Sequence, residues 1–204
     1  TGSVLTQSDS NTKIEATGAS SSYVASDVSD IVEAVMPSIV SITNVSESQY
    51  QSFFGGTQTQ QSTSCGSGII VSQDADNLYI ATNNHVVEGA DSLTVAFSDN
   101  TTVSAEIKGT DPSTDLAVIR VALSSIDSDT LNTIKVATLG NSDDLKAGQA
   151  AIAIGNALGY GQSVTTGVIS ALNREVTVSD SNSNTNYTAE LIQTSAAINP
   201  GNSG

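Results

Sequence analysis

The sequence predicts an all-β protein, built as barrels or as a sandwich, and three observations lead there. Short apolar runs rich in Val, Ile and Thr recur along most of the chain, separated by Gly, Asn, Asp and Ser. No helical period of useful length appears after Pro37. Charged residues make up only 13% of the chain and tryptophan is absent, a mix that suits short strands, many turns and an extracytoplasmic surface.

In chain order, residues 1–26 are Ser/Thr/Ala-rich and without periodicity, and they read as a disordered linker. Ile31, Val32, Val35 and Met36 then share one helical face, with Asp27 or Ser29 to cap the start and Pro37 to end it. A strand is expected at Ser38–Thr43. Residues 44–64, with Phe53-Phe54-Gly55-Gly56 inside a Gln/Ser/Thr-rich run, read as a long surface loop whose phenylalanines meet a neighbouring subunit or tack the loop down. Five strands follow at Gly68–Ser72, Leu78–Thr82, Leu93–Phe97, Thr102–Lys108 and Leu116–Val121, with turns such as Asp74–Asn77 and Asp99-Asn100 between them. Ser124–Thr133 is polar and reads as a crossover. A second series is expected at Ala150–Ile154, Thr166–Ala171, Glu175–Val178 and Glu190–Thr194, with Ser179–Thr188 as a polar surface loop. The domain reading is therefore a linker at 1–26, a helix and first β unit at 27–123, and a crossover with a second β unit at 124–204.

The 204 residues carry 6 Lys+Arg against 21 Asp+Glu, a formal charge of −15. That argues against nucleic acid or an anionic membrane as partner, since both require a basic patch. One cysteine, Cys65, excludes an internal disulfide framework, and with a single histidine it makes a structural zinc site improbable. Cys65 itself is expected to be small, buried or half-buried, and without a catalytic role. No stretch reaches the about 18 apolar residues of a membrane span. The chain starts at Thr1 without a signal-like segment, which reads as a mature form or as an excised piece of a longer chain, with room for a signal or anchor upstream.

The chemistry is concentrated at three places. Asn199-Pro200-Gly201-Asn202-Ser203-Gly204 sets a serine between small residues after a proline-fixed bend, so that its hydroxyl is presented on a turn. The N–H groups of Gly201 and Ser203 can converge there, as stabilisation of a tetrahedral oxyanion requires. A serine needs a base, and His85, the only histidine, sits at a strand end where an imidazole can serve, since that side chain ordinarily titrates near neutrality. Asp115 opens an apolar strand, where a carboxylate requires a partner and an imidazole N–H is a natural one. Asp111, before Pro112, reads as a turn residue. The order His85, Asp115, Ser203 is that of the chymotrypsin type; an α/β-hydrolase would need a histidine after the serine, and the spacing also misses G-x-S-x-G.

At these residues the chain resembles the protease domain of the HtrA/DegP family of trypsin-like serine proteases. The resemblance rests on Gly66-Ser67-Gly68-Ile69-Ile70, Thr82–Val87, Asp111 with Thr114–Val118, Leu139–Asp143, Gly148-Gln149 with Ala153–Asn156, Gly167–Ala171, and Ile192–Thr194 with Asn199–Gly204, all in family order. It implies a trypsin-like double β-barrel, with His85 and Asp115 from the first barrel and Ser203 from the second, the second barrel being incomplete within this chain. It implies Ser203 as nucleophile, His85 as base and then acid, Asp115 as orienting carboxylate, and the N–H groups of Gly201 and Ser203 as oxyanion hole, with no cofactor. Ile198 would face the primary specificity pocket and favour small aliphatic residues. Arg174 matches an arginine that relays activation from an adjacent domain in some members. The expected partners are unfolded protein or peptide substrates and further copies in a homotrimer, for which Tyr23 is a candidate contact.

The chain departs from the pattern at Ser195, where the family usually has aspartate, and at Ala157 in place of a proline. Ser195 could hold the approach to Ser203 differently. Family members continue past the serine with more strands, one of them a wall of the specificity pocket, and commonly with a peptide-binding PDZ domain. Residues 1–204 alone are accordingly expected to be a poor enzyme. The competing readings are a non-catalytic chaperone-like or scaffold relative, against which the intact His85, Asp115 and Ser203 count, and a binding module acting through Phe53 and Phe54.

Overall fold

The computed structural model describes residues 27–51, 57–157, 161–179 and 186–199. The expected linker with Tyr23, the Phe53-Phe54 pair, residues 180–185, and Gly201 and Ser203 lie outside the described residues.

A helix, α1 (Ser29–Val35), opens the described chain and gives way to a single 3-10 turn at Met36–Ser38 around Pro37. The Asp27 carboxylate accepts the Ser29 N–H at 3.0 Å. Of the apolar positions expected on one face, Met36 is buried and Val32 half-buried, while Ile31 and Val35 stay exposed.

Six strands then close into a barrel: β1 (Ile39–Gln51), β2 (Thr57–Gln73), β3 (Asn77–Asn83), β4 (Ser92–Ala96), β5 (Thr102–Asp111) and β6 (Leu116–Ala122), in the order β1-β2-β3-β6-β5-β4. Alternation explains the closure. Leu78, Ile80 and Thr82 on β3 and Ala117, Ile119 and Val121 on β6 all point inward, so one residue in two is buried. Val40, Ile42, Ile70, Val95 and Phe97 complete the filling. Gly68 keeps the interior open to these side chains: a Cβ there would lie 2.7 Å from Ile80 Cγ2 and 2.8 Å from Ile42 Cδ1. Asp111 is the turn residue expected, its carboxylate accepting the Ser113 N–H at 3.0 Å.

Three readings require correction. Residues 44–64 are for the most part strand and not loop: β1 and β2 stay in register from Ile39↔Ile69 to Gln51↔Thr57. The Ser/Thr/Gln run has no apolar alternation to announce a strand, yet its backbone continues a ladder already set by the barrel. Thr166–Ala171 and Glu175–Val178 belong to one strand, β8 (Gly161–Ser179), whose register against β9 (Asn186–Thr194) shifts between Ile169 and Ala171 and again between Ala171 and Arg174. These irregularities interrupt the alternation that the sequence was read by. Cys65 is exposed: it pairs with Thr43 of β1 at the root of the polar ribbon, outside the stretch of β2 that β3 pairs with.

The crossover carries a 3-10 turn at Leu123–Ser125 and a short helix, α3 (Ser128–Thr133). Buried Thr130 donates its hydroxyl to Asp99 Oδ2 at 2.6 Å, pinning the crossover to the β4–β5 turn. Beyond it β7 (Ala150–Ala157), β8 and β9 form an antiparallel sheet in that order. The Asn156 N–H donates to Ser67 Oγ at 2.8 Å, tying β7 to the barrel wall.

Two outcomes follow. Ile80→Ala lowers unfolding free energy by about 2–5 kcal/mol through the cavity it leaves, and Gly68→Ala by about 1–3 kcal/mol through overpacking, both read from urea midpoints. Burial works against ionisation of Asp99, but hydrogen bonds from Thr130 and Thr101 outweigh it and hold its carboxyl below the usual value. A depressed carboxyl stabilises above its unfolded pKa and loses that contribution as pH falls through the folded one. The melting-temperature loss in Thr130→Val is therefore largest at neutral pH and narrows below about pH 4.

Candidate active site

β3 and β6 pair antiparallel, and their ladder ends at Asn83↔Leu116. The next residue on each side of that last pair leaves the sheet. After Asn83 the chain turns into a one-turn helix, α2 (Asn84–Val87), which carries His85; before Leu116 stands Asp115. Two residues 30 apart in sequence thus meet because a sheet register delivers them to the same edge.

The meeting is close and doubled. His85 Nδ1 lies 2.7 Å from Asp115 Oδ2, and the His85 backbone N–H donates to Asp115 Oδ1 at 2.9 Å. With one carboxylate oxygen on the ring and the other on the backbone of the same residue, both the place and the orientation of the imidazole are fixed. Asp115 reaches this position with φ of 53°, a left-handed conformation that few non-glycine residues adopt. The side chains of His85 and Asp115 remain 57% and 39% exposed, so the outer ring nitrogen is open to a reactant.

Asn44 and Asn83, which the sequence reading did not single out, frame this pair. Buried Asn44, on β1, donates through Nδ2 to the carbonyls of Val86 and Glu88, both at 3.0 Å, holding the far end of α2. Asn83 donates through Nδ2 to the Asp115 carbonyl at 2.8 Å. An asparagine two residues before a histidine, at the last position of a strand, was the only signal available for the second.

The segment leading to Asn199 is stitched to β8. Ser195 Oγ accepts the Val168 N–H at 3.0 Å, and the Ser195 N–H donates to the Val168 carbonyl at 3.0 Å. Thr194 Oγ1 donates to the Val168 carbonyl and accepts the Ala196 N–H, each at 3.0 Å, and Thr165 Oγ1 donates to the Ala197 carbonyl at 2.7 Å. Gly167 lets the two segments approach: a Cβ there would lie 2.2 Å from the Ala196 nitrogen. The serine at 195 thus serves as a local clasp. Ile198, next along, is 60% exposed. Arg174 lies apart on β8, its Nε donating to Gln193 Oε1 at 3.1 Å. Among the described residues no group of three His, Cys, Asp or Glu side chains gathers to hold a metal.

Residues 66–204 match the family model of the trypsin-like peptidase domain. The chain is 42% identical over 186 residues to the serine protease Do-like HtrA of Bacillus subtilis, covering 88% of this chain and 39% of that protein. It is 45% identical over 146 residues to a probable periplasmic serine endoprotease DegP-like of Halomonas elongata, covering 72% of this chain and 27% of that one. The chain therefore spans well under half the length of these relatives. A solved structure of the HtrA-type protease AlgW with a tripeptide superposes with a TM-score of 0.64 at 34% identity, over 88% of this chain and 49% of that one. A closed six-stranded barrel followed by a second sheet is the architecture expected of this fold, and the chain belongs to the trypsin-like serine proteases, on their HtrA/DegP branch.

Proposed function

We propose that this chain is the catalytic part of an HtrA-type serine endopeptidase that cleaves unfolded or misfolded polypeptides outside the cytoplasm. The observation that carries the reading is the doubled contact between His85 and Asp115, 2.7 Å at the ring and 2.9 Å at the backbone. A carboxylate on Nδ1 selects the tautomer with its proton on that nitrogen, which leaves Nε2 as an acceptor for a hydroxyl proton. Ser203 is the nucleophile. His85 takes its proton as Oγ attacks the scissile carbonyl, and the N–H groups of Gly201 and Ser203 stabilise the oxyanion. His85 then protonates the leaving amine, and water releases the acyl group by the same steps in reverse. Asp115 stabilises the imidazolium throughout.

Ile198 supplies an apolar surface beside the scissile bond, and its exposure supports a role in contact with substrate. Arg174 acts in the relay of activation from a neighbouring domain. Assembly as a homotrimer, through the segment before the first barrel that includes Tyr23, and a membrane anchor upstream of it complete the proposal. An extracytoplasmic site is in keeping with the periplasmic names of relatives in Halomonas elongata and Pseudomonas fulva.

In the full-length protein a fluorophosphonate probe labels Ser203, and Ser203→Ala abolishes both labelling and casein cleavage. His85→Ala lowers turnover by about 10⁴-fold or more. Absence of labelling in the folded full-length protein would overturn the reading. Gly167→Ala forces its Cβ against the Ala196 backbone and lowers casein cleavage at least about tenfold, since small displacements near a reacting group are costly. Ser195→Ala, losing one hydrogen-bond acceptor, costs about 1 kcal/mol of stability in denaturant titration.

A further inference from the structure

We propose that Asn83 is a positioning residue for the His85–Asp115 pair, acting through the main chain of Asp115. The inference rests on the catalytic reading of that pair. Asn83 occupies the residue before α2, where an asparagine ordinarily turns its side-chain oxygen onto the N–H groups of its own first turn. Here Asn83 makes no such bond. Its amide is directed across the sheet edge, where Nδ2 donates to the Asp115 carbonyl at 2.8 Å.

The capping role is taken over by Asp115. Its Oδ1 accepts the N–H of His85, a first-turn donor of α2, at 2.9 Å. The two residues therefore exchange duties: the carboxylate of Asp115 caps the helix that Asn83 precedes, and the amide of Asn83 holds the carbonyl of Asp115. The Asn84 N–H adds a second donor to that carbonyl at 3.0 Å.

The need for such a hold comes from the backbone of Asp115. With φ of 53° it sits in a sparsely populated region, and a strained residue persists only where its surroundings over-determine it. Two donors on one carbonyl fix the direction of the peptide plane after Asp115. That plane, with the left-handed φ, decides where the carboxylate points. Without the Asn83 amide a single backbone bond remains, the peptide can rock, and Asp115 relaxes toward an extended conformation that withdraws Oδ2 from the ring. The geometry lets a side chain with no contact to the imidazole control the distance at which the imidazole is held.

The test uses the full-length protein; His85 is the only histidine of residues 1–204, and the imidazole resonance that disappears in His85→Gln is assigned to it. In protein labelled with nitrogen-15 histidine, the wild type shows a downfield Nδ1–H resonance from the bond to Asp115. Asn83→Leu, close in volume and without a donor, loses or broadens that resonance and labels with fluorophosphonate about 10- to 100-fold more slowly, with a melting temperature within a few degrees of wild type. Asn83→Gln, which restores an amide, recovers part of both signals. Should Asn83→Leu fail to fold, Asn83→Ser is expected to show the same two losses. A variant without the amide that keeps the downfield resonance and labels within about twofold of wild type overturns the inference, as does a wild type lacking the resonance. A wild type that shows the resonance, loses it in Asn83→Leu and yet is never labelled refutes the proposed activity and leaves the positioning role standing.

Discussion

The register between β3 and β6 is the constraint on which the site depends. The ladder ends at Asn83↔Leu116, and the residues that leave it are the ones that meet, His85 from one strand and Asp115 from the other. A slip of one residue would turn Ile80 and Ile119 from the core to solvent and separate the pair by the same step. The burial that stabilises the barrel and the geometry of the site are therefore one requirement. Leu78, Ile80, Ile119 and Val121, all fully buried, lock the alignment from inside, which lets His85 and Asp115 remain accessible without being loose.

Much of this was legible in the sequence. Strands with inward apolar residues at alternate positions, β3 and β6 above all, announce themselves by period, and a lone histidine at the end of one with an aspartate at the mouth of another suggests their pairing. The long β1–β2 ribbon was not legible. Its residues at 46–51 and 57–64 are Ser, Gln and Thr for the most part, and what holds them is a backbone ladder inherited from the barrel, which leaves no mark in side-chain pattern. β8 was split in reading because its register shifts near Ala171 break the alternation, and Asn173 within it takes a φ of 52°. Asn44 and Asn83 were invisible for another reason: an asparagine looks alike in a turn, at a cap and in a long-range bond, and only the fold decides among them.

Ser195 shows how a departure from a family pattern can be absorbed. A serine at that place offers one acceptor and takes one N–H, that of Val168, while its own backbone answers the Val168 carbonyl. The exchange is neutral, short-ranged and independent of charge. The price of that closeness is a position, Gly167, at which no side chain fits.

The polar ribbon and the helix that carries His85 share an anchor. Within the ribbon's root, Asn44 stands opposite Ser64, and Ile42 opposite Gly66. Asn44 holds the carbonyls of Val86 and Glu88, and Gly66 lies so close to Val86 that a Cβ would come within 2.6 Å of its Cγ2. The two-stranded ribbon continues the β1–β2 ladder of the barrel without a register shift, so the same run of backbone bonds that holds Gln51 opposite Thr57 also holds Ile42 opposite Gly66. At its root one continuous ladder therefore seats both the ribbon and α2, the turn of chain that carries His85.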